Sequence, residues 1–194
     1  METISVKKKK ISTKEMIVCS IFAALIAIGA FIKIPVPYVP FTMQLMFTTL
    51  AGVLLGANLG AISVGVYLII GLIGIPVFTK GGGIGYIFQP TFGYLIGFMI
   101  GAYVVGKIVE KYEKPSFKNI LLASLSGLAI VYAIGVPYFY FISNLVINNP
   151  IGAKAIMMYG FIMCLPGDLF TCIVCSFLGR RLVPMLRKER KAWR

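Results

Sequence analysis

Residues 155–179 read AIMMYGFIMCLPGDLFTCIVCSFLG, an uncharged run broken by one acid, Asp168. The run is long enough to cross a hydrocarbon core of about 30 Å as a helix. Three more charge-free runs precede it, at residues 34–79, 81–106 and 119–153. The 194 residues are 59% hydrophobic and 13% charged, and mean hydropathy is +0.92, outside the range of ordinary soluble domains. The chain therefore reads as an integral membrane protein. Asp168 is its only aspartate. A carboxylate at membrane depth costs several kcal/mol unless paired, so Asp168 marks a ligand, ion or proton site.

The formal charge of +13 is a matter of placement. Sixteen of the nineteen Lys and Arg residues fall in three clusters: Lys7 to Lys10 with Lys14; Lys107, Lys111, Lys114 and Lys118; and residues 180–194. Basic segments flanking apolar spans orient a membrane protein and touch anionic lipid, which argues against nucleic acid as the partner. With all three clusters cytoplasmic, both termini lie inside and the number of spans is even. No small-residue cleavage site follows the first apolar run, so no cleavable signal peptide is expected. Histidine is absent, which removes His-dependent catalysis and His metal ligation. Cys172 and Cys175 form a C-x-x-C within an apolar helical run with no second ligand pair, and read as small buried residues.

The expected architecture is an all-α bundle of six transmembrane helices. A basic segment at 1–14 precedes a membrane domain at 15–187, with spans near 16–32, 41–56, 59–75, 90–106, 120–142 and 166–186, and a basic tail follows at 188–194. The prolines at 35, 37 and 40 end the first span. The long run after them must turn back near Gly56 to Gly60. Pro166 suits a first helical turn, so the last span is expected to start there rather than at Ala155. Asp168 then sits in that first turn, where free N–H groups and the helix dipole favour an anion, and residues 155–165 lie across the outer side as a cap.

Gly93, Gly97 and Gly101, and likewise Gly52, Gly56 and Gly60, recur every four residues and predict close helix packing. The loop Gly81-Gly82-Gly83-Ile84-Gly85 lacks the Lys-Ser or Lys-Thr of a phosphate loop; it is either a plain turn or a lid over a small molecule. Ser20, Ala23, Ala24 and Ala27 make a small-residue face on the first span, fit for docking another membrane subunit. The outer half gathers Asp168, Thr171, Gln89, Thr91, Tyr86, Tyr94 and Gln44, with Lys33, Lys80 and Lys154 above. A few placed polar groups among apolar walls are what a small-molecule site needs.

Pro40-Phe-Thr-Met-Gln44, Leu50-Ala-Gly-Val-Leu-Leu-Gly56, Gly60-Ala-Ile-Ser63, Gly71-Leu-Ile-Gly-Ile-Pro-Val-Phe78, Pro90-Thr-Phe-Gly-Tyr-Leu-Ile-Gly97 and Leu165-Pro-Gly-Asp168 follow in order. Together, over residues 13–185, they resemble the BioY family of biotin-specific substrate-binding (S) components of energy-coupling factor (ECF) transporters. The resemblance implies six helices, an outward-facing biotin pocket, a transmembrane scaffold subunit and two cytoplasmic ATPases as partners, and the first-helix face as the scaffold contact. It implies no cofactor and no catalysis by this chain, since the ATPases hydrolyse ATP. Two positions depart from the usual pattern: Gln89 stands where Gly is common, and Thr171 where a Lys often follows the aspartate.

Biotin's chemistry matches this set of residues. Its two ureido N–H groups suit an ionised Asp168, its ureido oxygen needs a donor from Thr171, Thr91 or Tyr94, and its rings suit walls such as Phe41, Tyr86 and Tyr94. Its carboxylate suits Lys80 or Lys154. The competing expectation is a stand-alone transporter in which Asp168 cycles protons. A membrane enzyme fits poorly without histidine and with one buried acid.

Overall fold

A computed structural model describes residues 11–35, 37–147 and 150–192; the run Lys7 to Lys10 and the last two residues lie outside them. The first helix, α1 (Thr13–Phe31), starts at a reciprocal cap: the Ser12 hydroxyl accepts the Glu15 N–H at 3.2 Å, and the Glu15 carboxylate accepts the Ser12 N–H at 3.0 Å. The proline-rich segment then closes as a hairpin, with β1 (Lys33–Ile34) antiparallel to β2 (Phe41–Thr42).

Two short helices follow, α2 (Gln44–Leu55) and α3 (Ala57–Leu72). At 1.5 Å per residue α2 is about 18 Å long, well short of the hydrocarbon core. Nearly all of α2 is buried, so its neighbours rather than lipid surround it. One residue, Gly56, joins the two helices at φ 84°, a left-handed conformation that favours glycine. The first N–H of α3 is satisfied from far along the chain, by the Glu110 carboxylate at 3.0 Å.

The remaining long helices are α4 (Phe92–Val109), α5 (Phe117–Phe141) and α7 (Leu165–Ala192). Between the last two the chain widens into π turns at Ile142–Val146 and Met158–Ile162, separated by a short α6 (Ala153–Met157). Besides the short α6, the described residues thus hold six helices, and four helical stretches among them are long and apolar enough to cross a membrane. α7 begins at Leu165, beside the expected Pro166, and Asp168 lies in its first turn, its N–H bonded to the Cys164 carbonyl at 3.1 Å. The segment expected as a separate cap is itself helical and, but for the turn at 163–164, runs on into α7 as one apolar stretch, Ala153–Glu189. At the other end α7 runs on through the basic segment. Arg187 explains why: its guanidinium donates to the carbonyls of Val109 (3.0 Å), Tyr112 and Glu113 (3.0 Å), tying α7 to the end of α4.

Glycines set the helix spacing. A Cβ at Gly97 would stand 2.9 Å from the Val131 Cα, and one at Gly101 3.1 Å from the Gly127 carbonyl oxygen, so α4 and α5 meet backbone to backbone. Gly52 faces the Ala102 backbone in the same way and brings α2 against α4. The core falls into two parts. One, including Leu50, Val53, Val105, Ile120, Cys175 and Val183, fills the half of the bundle around the α2–α3 turn. The other, including Tyr67, Phe78, Tyr94, Phe98, Tyr132 and Phe139, surrounds the opposite half, where the bundle hollows out.

A candidate ligand-binding site

The up-and-down course of the chain sets the first turns of α2, α4 and α7 at one end. There they enclose a cavity of about 50 Å³, several times the space that one water needs. Its walls are Phe41, Thr42, Gln44 and Leu45 around the start of α2; Thr91, Tyr94, Leu95 and Phe98 on α4; Val131 and Tyr132 on α5; and Cys164 and Asp168 at the start of α7, with Thr79 and Tyr86 contributed by the α3–α4 loop. Three helix N-termini converge here, and their dipoles favour negative charge on the ligand side. Asp168, 9% exposed, occupies one of them.

The polar atoms around the cavity form three groups. The Tyr132 hydroxyl donates to Asp168 Oδ2. Among the described residues no hydrogen bond reaches the other carboxylate oxygen, which remains free to accept. In the second group, the Gln44 amide nitrogen donates to the Tyr67 hydroxyl at 2.7 Å, and Tyr67 donates in turn to the Val77 carbonyl at 3.2 Å. The Thr42 hydroxyl donates to the Gln44 side-chain amide oxygen, Oε1, at 3.2 Å. In the third, Thr79, Tyr86 and Thr91 form a hydroxyl chain with steps of 2.9 and 3.3 Å. When that chain runs from Thr79 to Thr91, the Thr91 proton is left over to donate into the cavity.

Six of the residues singled out from the sequence, Phe41, Gln44, Tyr86, Thr91, Tyr94 and Asp168, line this one space. Tyr94 contributes differently from the expectation. Its hydroxyl proton is committed to the Gly160 carbonyl at 2.7 Å, so it presents a ring and a lone pair rather than a donor. Thr171 is buried on α7 but outside the lining; Gln89 is half-buried and ends the single turn Ile84–Phe88. Lys80 and Lys154 are exposed and line no part of it. The cation linked to the cavity wall is Lys33, whose Nζ donates to the Thr79 carbonyl at 3.3 Å.

The glycine loop is built as a tight turn. Phe78 and Gly81 exchange hydrogen bonds at 2.9 and 3.2 Å, and the Gly83 N–H reaches the Gly71 carbonyl at 2.7 Å. On α1 the expected docking face divides: Ala23 is 4% exposed and packs into the core, which corrects its place on that face, while Ser20 and Ala24 are exposed and Ala27 is half-buried. The cause is helical phase, since Cys19, Ala23, Ile26 and Ala30 form the inward stripe. Cys172 and Cys175 are fully buried, the latter with its thiol toward the Met46 carbonyl.

Sequence reasoning missed Tyr132, Thr42, Thr79 and Cys164 among the polar lining and Leu45, Leu95, Phe98 and Val131 among the apolar. Only Tyr132 carried a signal: a phenol amid an apolar helix needs a partner for its hydroxyl, and the one buried acid was available.

The sequence pattern of the BioY family matches residues 5–188. The chain belongs to this family. A probable biotin transporter BioY from Lysinibacillus sphaericus is 45% identical over 94% of this chain and 93% of its own length. The biotin transporter BioY of Thermotoga maritima is 39% identical over 87% of this chain and 95% of its own. Among solved structures, a crystal structure of the S-component for biotin from an ECF-type ABC transporter superposes with a TM-score of 0.75 at 28% identity, covering 87% of this chain and 90% of that one. BioY membership agrees with the ordered motifs and with the six-helix bundle expected from them.

Proposed function

We propose that this chain is the biotin-binding S component of an ECF-type importer and that the cavity around Asp168 is where biotin sits. Three things support the reading: relatives named as biotin transporters, a superposable S-component for biotin, and a cavity whose one acid has an oxygen free to accept. That free oxygen is the observation that carries it. An ionised carboxylate accepting from ureido N–H groups makes charge-assisted hydrogen bonds, the stronger kind.

In this arrangement Tyr132 positions Asp168 and the ureido N–H groups meet its free oxygen. Thr91 donates to the ureido oxygen, while Phe41, Leu45, Leu95, Phe98 and Val131 take the fused rings and the valeryl chain. The carboxylate end points to the loops, where Lys33 is the proposed counter-ion in preference to Lys80 and Lys154. Thr171 supports α7 from behind the lining.

The chain captures biotin and hydrolyses nothing; a membrane scaffold subunit and two ATPases supply the energy. The three basic clusters support a topology with both termini in the cytoplasm, by the positive-inside rule. A proton-cycling transporter fits less well. Beneath the cavity, around Leu50, Val53, Val105, Ile120 and Val183, the buried polar groups among the described residues are hydroxyls and thiols such as Ser63, Ser124, Ser176 and Cys175, with no second buried acid to relay the proton across. Calorimetric titration of the purified chain with biotin and desthiobiotin tests the proposal: saturable heat at micromolar protein is expected, and no heat with biotin removes it.

A further inference from the structure

At the opposite end of the bundle from Asp168, the α4–α5 connector and α7 bound an open groove of about 550 Å³. Lys114, Phe117 and Lys118 line it on one side, Arg180 and Pro184 on the other. All three cations are exposed, and among the described residues none of them makes a hydrogen bond or ion pair. The acids of the connector do not neutralise the groove. Glu110 is engaged with the Ala57 N–H, and Glu113 forms no part of the lining. Ser116 caps α5 by accepting the Asn119 N–H at 3.3 Å, and no acid occupies that helix's first turn.

The groove is also apolar on the side toward the middle of the bundle. The Phe117 and Phe177 rings meet at 4.7 Å between centroids. Phe177 is 62% exposed and lies three residues before Arg180, on the same face of α7. Gly179, between them in sequence, faces inward against Val53 and Ile120, which holds α7 close to α5 and turns Phe177 and Arg180 outward. Cations at the bundle end and a tilted ring pair, of which Phe177 lies about one turn deeper, make an amphipathic slot. A free phosphate would use only its charged half.

We infer that this groove binds an anionic phospholipid, its phosphate held by Lys114, Lys118 and Arg180 and one acyl chain laid against Phe117 and Phe177. The inference rests on the membrane bundle and is independent of what the cavity carries. Basic pockets between spans at the cytoplasmic level bind lipid headgroups in this way.

The test uses the purified full chain in neutral detergent, with adducts read by native mass spectrometry against dioleoyl phosphatidylglycerol, dioleoyl phosphatidylcholine and glycerol 3-phosphate. Phosphatidylglycerol is expected to be retained in preference to both comparators. Each of Lys114→Gln, Lys118→Gln and Arg180→Gln is expected to weaken it by about five-fold. Phe177→Ser should also weaken it. Lys107→Gln with Lys111→Gln, which removes two charges outside the groove, should leave it unchanged. Equal retention of phosphatidylcholine, an equal loss in that control pair, or glycerol 3-phosphate binding as tightly as the lipid would each overturn the inference. Circular dichroism of every variant confirms that the bundle is intact.

Discussion

A single buried carboxylate organises the site, and its partner is a phenol from another helix. Tyr132 donates to one oxygen of Asp168 and leaves the other to the cavity. Removing the donor leaves a buried anion short of a hydrogen bond, so Tyr132→Phe should destabilise the ligand-free protein by about 1.5–3 kcal/mol. A thermal unfolding midpoint equal to the parent's would show that the bond contributes nothing. Lys33 offers a second test at this scale. Lys33→Ala is expected to weaken biotin by about two- to five-fold, the range of an exposed ion pair, and to spare biotin methyl ester; equal losses for the two ligands would reject its role. Asp168 was legible in the sequence because charge is rare in apolar runs. Tyr132 left only the hint of a phenol in need of a partner, and the role of Lys33 left none, because their partners lie 36 and 46 residues away.

The helices were legible to the extent that their causes are local. Prolines at 35, 37 and 40 stop α1 and glycines at four-residue intervals announce close packing, whereas the Ser12–Glu15 cap, also local, sets the start of α1 earlier than the expected residue 16. The short α2 was harder to read, since an uncharged run gives no sign of where a helix starts inside it. Its length follows from tertiary structure: the β1–β2 hairpin takes up residues through Thr42, and Glu110 caps the helix that follows Gly56. The phase of α1 was likewise invisible, because small residues occupy both its buried and exposed stripes. Where α4 and α5 touch backbone to backbone, bulk has nowhere to go. Gly97→Leu should cost about 1–3 kcal/mol of stability and lower the unfolding midpoint. An unchanged midpoint would mean that the two helices do not approach as described.

Taken whole, the bundle is solid at one end and hollow at the other. That division suits a subunit that captures a vitamin and relies on partners to move it. The exposed part of α1 is the proposed contact with the scaffold subunit, now reduced to Ser20 and Ala24 with Ala27 at its edge. Ala24→Trp is therefore expected to leave biotin binding by the purified chain intact while abolishing uptake in cells that carry the ATPase module. Full uptake would place the docking face elsewhere. Ala23→Trp cannot serve, because it would disturb the core. If Asp168 holds biotin, calorimetric titration of Asp168→Asn with biotin is expected to show a loss of at least about 1.5 kcal/mol in affinity, or more than ten-fold. An affinity equal to that of the parent protein would contradict it.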